Sequence, residues 1–241
     1  MQAIWREITR SHHYPIMGKQ SKRYRGNQQK ITEKTHTIDE AIKLIKEMAS
    51  AKFDESVEAH FNLGLDPKKP EHVIRHTIEM PNGTGRTLKI AVFTESKQAE
   101  AKNGGADIVG GKNLVDEIAA KKQINFDVAV ATPDFMRELS RVAKILGPKG
   151  LMPSPKTGTI SDDVLKIIGK LKKGQITIKS DASSNLHQII GKVSFDAQKI
   201  HDNFTFLLSE IKKVRPKGIK GAYIRNVTLC ATMGPGIKVD F

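Results

Sequence analysis

PNGTGRTLKIAVF, residues 81–93, is where the chain changes character. Its first five residues are turn-forming punctuation, whereas LKIAVF at 88–93 is a nearly continuous apolar run of the kind that fills a strand buried on both faces. FDVAVA at 126–131 is a second such run, and polar sequence of helical length trails each. This pattern reads as parallel strands joined by crossover helices. Helices are expected over 112–122 and 134–146, the latter with Phe135, Leu139, Val142 and Leu146 on one side and Pro133 at its start. Another over 161–173, stopped by Gly174, closes this α/β region.

The two flanks have a different style. Upstream, Thr37 and Glu40 make a T-x-x-E capping box ahead of Ile38, Ala41, Ile42, Ile45 and Met48 at helical spacing. SVEAHFNLGL at 56–65 then alternates, with Val57, Ala59, Phe61 and Leu63 on one face and Glu58, His60 and Asn62 on the other, so one face is wet or binds something. Pro67 and Pro70 break this run, and 73–80 reads as a second strand returning from the loop. Downstream of Gln175 strand periodicity resumes through a polar turn, SDASSN, into LHQIIGKVSF, followed by a long amphipathic helix carrying Ile200, Phe204, Leu207, Leu208, Ile211 and Val214. AYIRNVTL and a glycine-rich turn before the last residues supply two final strands.

These shifts imply a mixed α/β and α+β protein. A discontinuous α+β domain is built from residues 31–82 and 175–241, an α/β domain (83–174) is inserted into it, and residues 1–30 form a basic arm. Gly83, Gly85 and Gly174 fall at the two crossings and are the expected hinges.

A formal charge of +14 and a pI near 9.8 favour a polyanionic partner, because neutralising phosphates releases counterions. The surplus divides into +6 for residues 83–174 and +8 for the rest, so charge alone does not choose the binding region. Residues 8–32 hold Arg10, Lys19, Lys22, Arg23, Arg25 and Lys30 and no acid before Glu33; composition fits both a solvated tail and an arm that orders on an anionic partner. Met17 is an alternative start, since MGKQSKRYRG is a coherent basic leader. A single cysteine, Cys230, excludes an internal disulfide. No apolar run reaches the roughly 18 residues a membrane span requires, and a cytoplasmic protein is expected.

ILGPKGLMPSPKTGTI, 145–160, comes within one residue of a phosphate loop, with Gly150, Lys156 and Thr157 in place and Pro155 where the second glycine belongs. Proline has no N–H to offer a phosphate, so the stretch reads as a rigid, shaped, basic loop through Lys149 and Lys156. Other chemistry is equally thin. His72 and His76 have the i, i+4 spacing of a helical metal pair, but VIRHTIEM reads as strand and no third ligand is near. GGADIVGGK at 104–112 misses the dinucleotide fingerprint and reads as a turn flanking a strand. The paired acids Asp54–Glu55 and Asp162–Asp163 read as a turn and a helix start. Neither a metal, a cofactor nor an enzymatic reaction is implied. Aromatic residues are too few for base stacking to dominate, leaving contacts to phosphate, 2′-hydroxyls and folded RNA shape.

Taken together, AKFDESVEAHFNLGLD at 51–66, ILGPKGLMPSPKTGT at 145–159 and TMGPGIKVD at 232–240, with FDVAVATPD and IGKVSF, closely resemble the bacterial form of the ribosomal protein L-one family. The resemblance covers about residues 17–241. It implies an RNA-binding domain formed from the termini and an inserted Rossmann-like domain. It also implies binding to large-subunit ribosomal RNA of the mobile stalk, help in releasing deacylated tRNA from the exit site, and repression of the protein's own mRNA, as a monomer within the ribosome. By resemblance the RNA-binding positions are Lys52, Phe53, Ser56 and Glu58 on the first strand and Thr232, Met233 and Gly234 at the last turn, with core packing the other reading of Phe53. Asp181 and His187 match more loosely, because Ala182, Ser184 and Gln188–Ile189 depart from the family pattern. Lys22, Arg23, Arg25, Lys149 and Lys156 are expected as secondary contacts. Two rivals remain: a nucleotide-dependent α/β enzyme using the 145–160 loop, and a general basic RNA chaperone.

Overall fold

The computed structural model describes residues 21–31, 35–67, 69–216, 218–219 and 221–241. The chain forms two units, Met1–Glu33 and Lys34–Phe241. In the first, helix α1 (Lys22–Gln29) starts where the Ser21 hydroxyl accepts the Tyr24 amide at 3.2 Å. None of its residues is buried. Composition had suggested no element here. The expectations for residues 1–20, Met17 among them, lie outside the described residues.

In the second unit, α2 (Ile38–Met48) carries the expected capping box, with both reciprocal bonds present. In chain order the remaining elements are β1 (Ser56–Leu63), β2 (Arg75–Glu79), β3 (Ile90–Phe93), α3 (Gln98–Asn103), β4 (Ile108–Gly110), α4 (Lys112–Lys121), β5 (Val128–Ala131), α5 (Met136–Leu139), α6 (Ala143–Leu146), α7 (Val164–Lys172), β6 (Gln175–Lys179), β7 (Asn185–Lys192), α8 (Ala197–Lys213), β8 (Ile224–Ala231) and β9 (Ile237–Val239). Among the described residues no helix is long and apolar enough to cross a membrane.

Three sheets result. The largest is antiparallel in the order β7-β1-β8-β9, uniting a strand from the N-terminal flank with three from the C-terminal flank. Strand β1 is buried at every second residue, and on its inward face Phe61 stacks on Phe204 of α8 with centroids 6.1 Å apart, while α2 and α8 pack against its neighbours β8 and β7. Each such fully buried side chain contributes about 1.5–3 kcal/mol. The residues on the other face of β1, Ser56, Glu58, His60 and Asn62, are only partly buried. The middle of the chain builds a parallel sheet, β4-β3-β5, with β3 buried at every residue. One side packs Ala91, Phe93 and Ala131 with Val115, Leu139 and Leu146; the other packs Ile90, Val92 and Val130 with Val164, Ile168 and Leu171.

The strand expected over 73–80 forms as β2 and pairs with β6, a hundred residues on, a partner that no local pattern specifies. Two local expectations fail for physical reasons. GGADIVGGK is more than a turn, since Ile108–Gly110 pairs in parallel with β3; three residues are too few for periodicity to show. The helix over 134–146 breaks into α5, α6 and two 3-10 turns, although its four apolar positions are all buried as expected. At the break, the Ser140 hydroxyl donates to the Arg137 carbonyl at 2.7 Å, a side-chain bond that competes with the helical ladder.

The two connections between these regions touch. Gly83, Gly85 and Gly174 all have positive φ, and a Cβ on Gly174 would lie 2.7 Å from the Gly83 Cα, so backbone approaches backbone there as only glycine permits. Asn203, fully buried on α8, accepts from the Asn82 amide and donates to the Gly83 and Ile190 carbonyls.

Candidate nucleic-acid interface

Seven of the residues singled out above come together where the start of β1 meets the turn after β8. The Thr232 amide donates to the Ser56 carbonyl at 3.0 Å, and the Thr232 hydroxyl accepts the Ser56 amide at 3.0 Å and donates back to the Ser56 carbonyl at 3.3 Å. Thr232 therefore extends the strand ladder with its side chain. One lone pair remains, which fits it to accept from a 2′-hydroxyl.

Glu55 organises this region, and the sequence reading missed it. Its side chain is 2% exposed; one oxygen accepts the Ala51 amide at 3.1 Å and the other the Met233 amide at 3.0 Å, while its backbone carbonyl takes the Val193 amide. A buried carboxylate with this many N–H partners is satisfied where it lies. Beside it, Asp54 accepts from the Ser194 amide and hydroxyl, and the Lys192 ammonium donates to the Ser56 hydroxyl at 2.9 Å. Asp54–Glu55, expected as a turn, instead form the irregular lead into β1, and their side-chain partners lie some 140 and 180 residues away, where no sequence signal points.

The consequence is a fixed pair of outward apolar side chains. Phe53 is 54% exposed and Met233 50% exposed, which overturns the core-packing reading of Phe53. Apolar groups held out in water by a bonded scaffold mark an interaction surface. Lys52 and Thr232 are exposed alongside them. Gly234 is half-buried, has no positive φ, and a Cβ there would meet only Ala231 at an ordinary 3.5 Å. The fold itself does not require this glycine.

Along the other face of β1, Glu58, His60 and Asn62 continue the surface. His60 lies opposite His187 on β7, their Nδ1 atoms 2.7 Å apart, one donating to the other. His60 Nε2 is 3.0 Å from Cys230 Sγ and 3.9 Å from the Glu58 carboxylate. Burial, then the neighbouring His187, lowers the His60 pKa, with Glu58 opposing. Burial and then Glu58 push the Cys230 thiol up to about 11, leaving it a poor nucleophile. Since the two His60 nitrogens face different partners, this cluster does not converge on one ion, and no group placed to hold a metal exists among the described residues. Asp181 builds its own turn: Oδ1 accepts the Ser183 and Asn185 amides at 2.9 and 2.7 Å, and the Asn185 amide foremost holds its carboxyl below the usual range. Its other oxygen sits 3.6 Å from His187 Nε2.

Of the secondary residues, Lys22, Arg23 and Arg25 lie on α1 of the first unit, and Lys149 is exposed on the 145–160 loop of the second. Lys156 falls in a short 3-10 turn, Pro155–Thr157, and its side chain lies outside the description. Within that loop the Gly150, Leu151, Thr157, Gly158 and Thr159 amides all bond to loop or helix carbonyls. A phosphate cradle is thereby ruled out in this conformation. His72 is buried and its Nδ1 accepts the Asp66 amide at 3.0 Å, so it is a satisfied interior histidine and not a metal ligand paired with His76.

Among the described residues, an open and polar sheet face therefore lies beside two exposed apolar side chains, Phe53 and Met233. The chain belongs to the ribosomal protein L1p/L10e family, whose profile matches residues 45–235. Large ribosomal subunit protein uL1 of Mesoplasma florum is 50% identical over 208 residues, 86% of this chain and 92% of that protein. The proteins of the same name from Mycoplasma capricolum and Kosmotoga olearia are 46% and 48% identical over 226 and 227 residues, each 93% of this chain and 100% and 97% of the relative. These relatives are named as ribosomal proteins, not enzymes.

Proposed function

We propose that the chain is a structural constituent of the large ribosomal subunit that binds ribosomal RNA of the mobile stalk through the surface of Lys52, Phe53, Ser56, Glu58, Thr232, Met233 and Gly234. What carries the reading is the way Glu55 fixes two exposed apolar side chains beside a glycine that the protein's own packing does not need. A Cβ-free backbone there admits close approach by a ribose or base, the remaining hydroxyl capacity suits 2′-hydroxyls, and Glu58 is suited to accept from a hydroxyl or amino group rather than to meet phosphate. Asp181 and His187 extend the contact along β7.

In this reading residues 31–82 and 175–241 act as the RNA-binding domain and 83–174 as an inserted domain. Rotation at Gly83, Gly85 and Gly174 would let the stalk move as deacylated tRNA leaves the exit site. The arm residues Lys22, Arg23 and Arg25, and Lys149 and Lys156 of the loop, supply secondary phosphate contacts. A similar fold in the protein's own mRNA would compete for the same surface and so repress translation. The protein works as a monomer, in the cytoplasm, without cofactor.

Filter binding to a stalk ribosomal RNA fragment and an unrelated hairpin, each at two salt concentrations, tests this. Preference for the stalk fragment that survives the higher salt is expected; equal affinity for both would leave only a general RNA chaperone.

A further inference from the structure

Strands β2 and β6 pair so that Arg75 faces Lys179, Thr77 faces Thr177 and Glu79 faces Gln175. Alternation puts all three pairs on one face, and like charges directly opposite each other on an antiparallel pair repel. The nearby carboxylate does not relieve this, because Glu79 pairs with Lys170 at 3.4 Å. Among the described residues neither the Arg75 nor the Lys179 side chain has an ion-pair or hydrogen-bond partner. Two unpaired cations held side by side by strand register make a ready anion site, the guanidinium offering a planar fork and the ammonium a point charge.

Next to them opens a cavity of about 400 Å³, with Leu88, Leu151, Met152 and Ile176 among its lining and Thr157 and Gln188 adding polar groups. Its volume lies in the range of small-ligand sites. Asp127 also lines it, but that carboxylate is engaged by Arg86 at 2.7 Å and by the Lys89 amide at 3.1 Å. An apolar space beside a bare pair of cations suits a ligand with one flat, weakly polar part and one phosphate.

We propose that Arg75 and Lys179 hold the phosphate of a nucleotide whose base or ribose enters this cavity. The ligand class is a nucleoside phosphate, supplied either as an unstacked nucleotide of a bound RNA or as a free mononucleotide. The site lies on a different sheet from the Thr232 turn and stands independently of the surface proposed above.

Calorimetric titration of the full chain at constant ionic strength, with adenosine monophosphate, adenosine and the trinucleotide ApApA as probes, tests the site. The phosphorylated probes should bind saturably at one site, adenosine far more weakly, and Arg75→Gln or Lys179→Gln should weaken binding about tenfold or more, the size of a lost charge-assisted bond. Tighter binding of ApApA than of the monophosphate assigns the site to RNA, and the reverse order assigns it to a free nucleotide. Without ligand, both glutamine variants should melt at higher temperature than the parent chain, since the cross-strand repulsion is gone. No saturable binding of either phosphate probe, or binding unchanged in both variants, overturns the proposal.

Discussion

Strands β1 and β3 are both rich in apolar residues, yet β1 is buried at alternate positions and β3 at every one. The parallel sheet has helices on both faces and no side chain of β3 left to offer a partner, whereas β1 of the antiparallel sheet keeps every second residue only partly buried. Burial on both sides makes a scaffold; burial on one side leaves a surface. What turns that surface into a candidate site is a set of long-range bonds at its end, centred on Glu55, that fix Phe53 and Met233 outward.

The contrast is broken most severely at the joint between the two regions. Gly174→Ala puts a Cβ against the Gly83 backbone at a φ of +100°, and should cost about 3 kcal/mol or more in chemical unfolding. Glu55→Gln leaves one amide oxygen for two amide donors and aims an NH₂ group at the other; a loss of about 2–3 kcal/mol is expected, with stalk RNA binding falling as Phe53 and Met233 lose their fixed spacing. Thr232→Val removes the hydroxyl that bonds Ser56 in both directions. It should cost about 1–2 kcal/mol and reduce affinity for stalk RNA more than for an unrelated hairpin in the same filter assay.

A smaller effect concerns pH. His60 has a lowered pKa in the fold, so the unfolded chain binds the extra proton first. The stabilisation is complete above the ordinary value of 6.5 and is lost as pH falls through the lower folded value. Urea midpoints measured at pH 8, 6.5 and 5 should decline in that window, and His60→Gln should flatten the decline. Asp181, also lowered, acts further down, below the ordinary 3.8, so the two are separable.

Much of this contrast was legible in the sequence, because it is written in periods. Alternation at 56–63 and the nearly continuous apolar run at 88–93 announce one open and one closed sheet, and Thr37 with Glu40 announces a helix start that forms both its bonds. Partners far apart in the chain were not legible. Nothing local in β2 says that it pairs with β6, nothing in Glu55 points to the Met233 amide, and nothing in Asn203 points to the connections at Asn82 and Gly83. Short elements were lost for want of length, as with Ile108–Gly110. Of the residues taken from family resemblance, seven lie around the Ser56–Thr232 junction, whereas Asp181 and His187 lie at the turn before β7 and on β7 itself, and Asp181 and Thr232 also bond their own backbone surroundings.

Gly234 gives the most direct test of the central claim. A methyl group there meets nothing tighter than Ala231 at 3.5 Å, so Gly234→Ala should leave stability within about 0.5 kcal/mol. Binding of this variant to the stalk ribosomal RNA fragment should nevertheless weaken by about tenfold or more, roughly the 1.4 kcal/mol of one obstructed close contact, with the unrelated hairpin unaffected. Unchanged affinity for the stalk fragment in a fully folded Gly234→Ala protein would contradict the assignment of RNA binding to this surface.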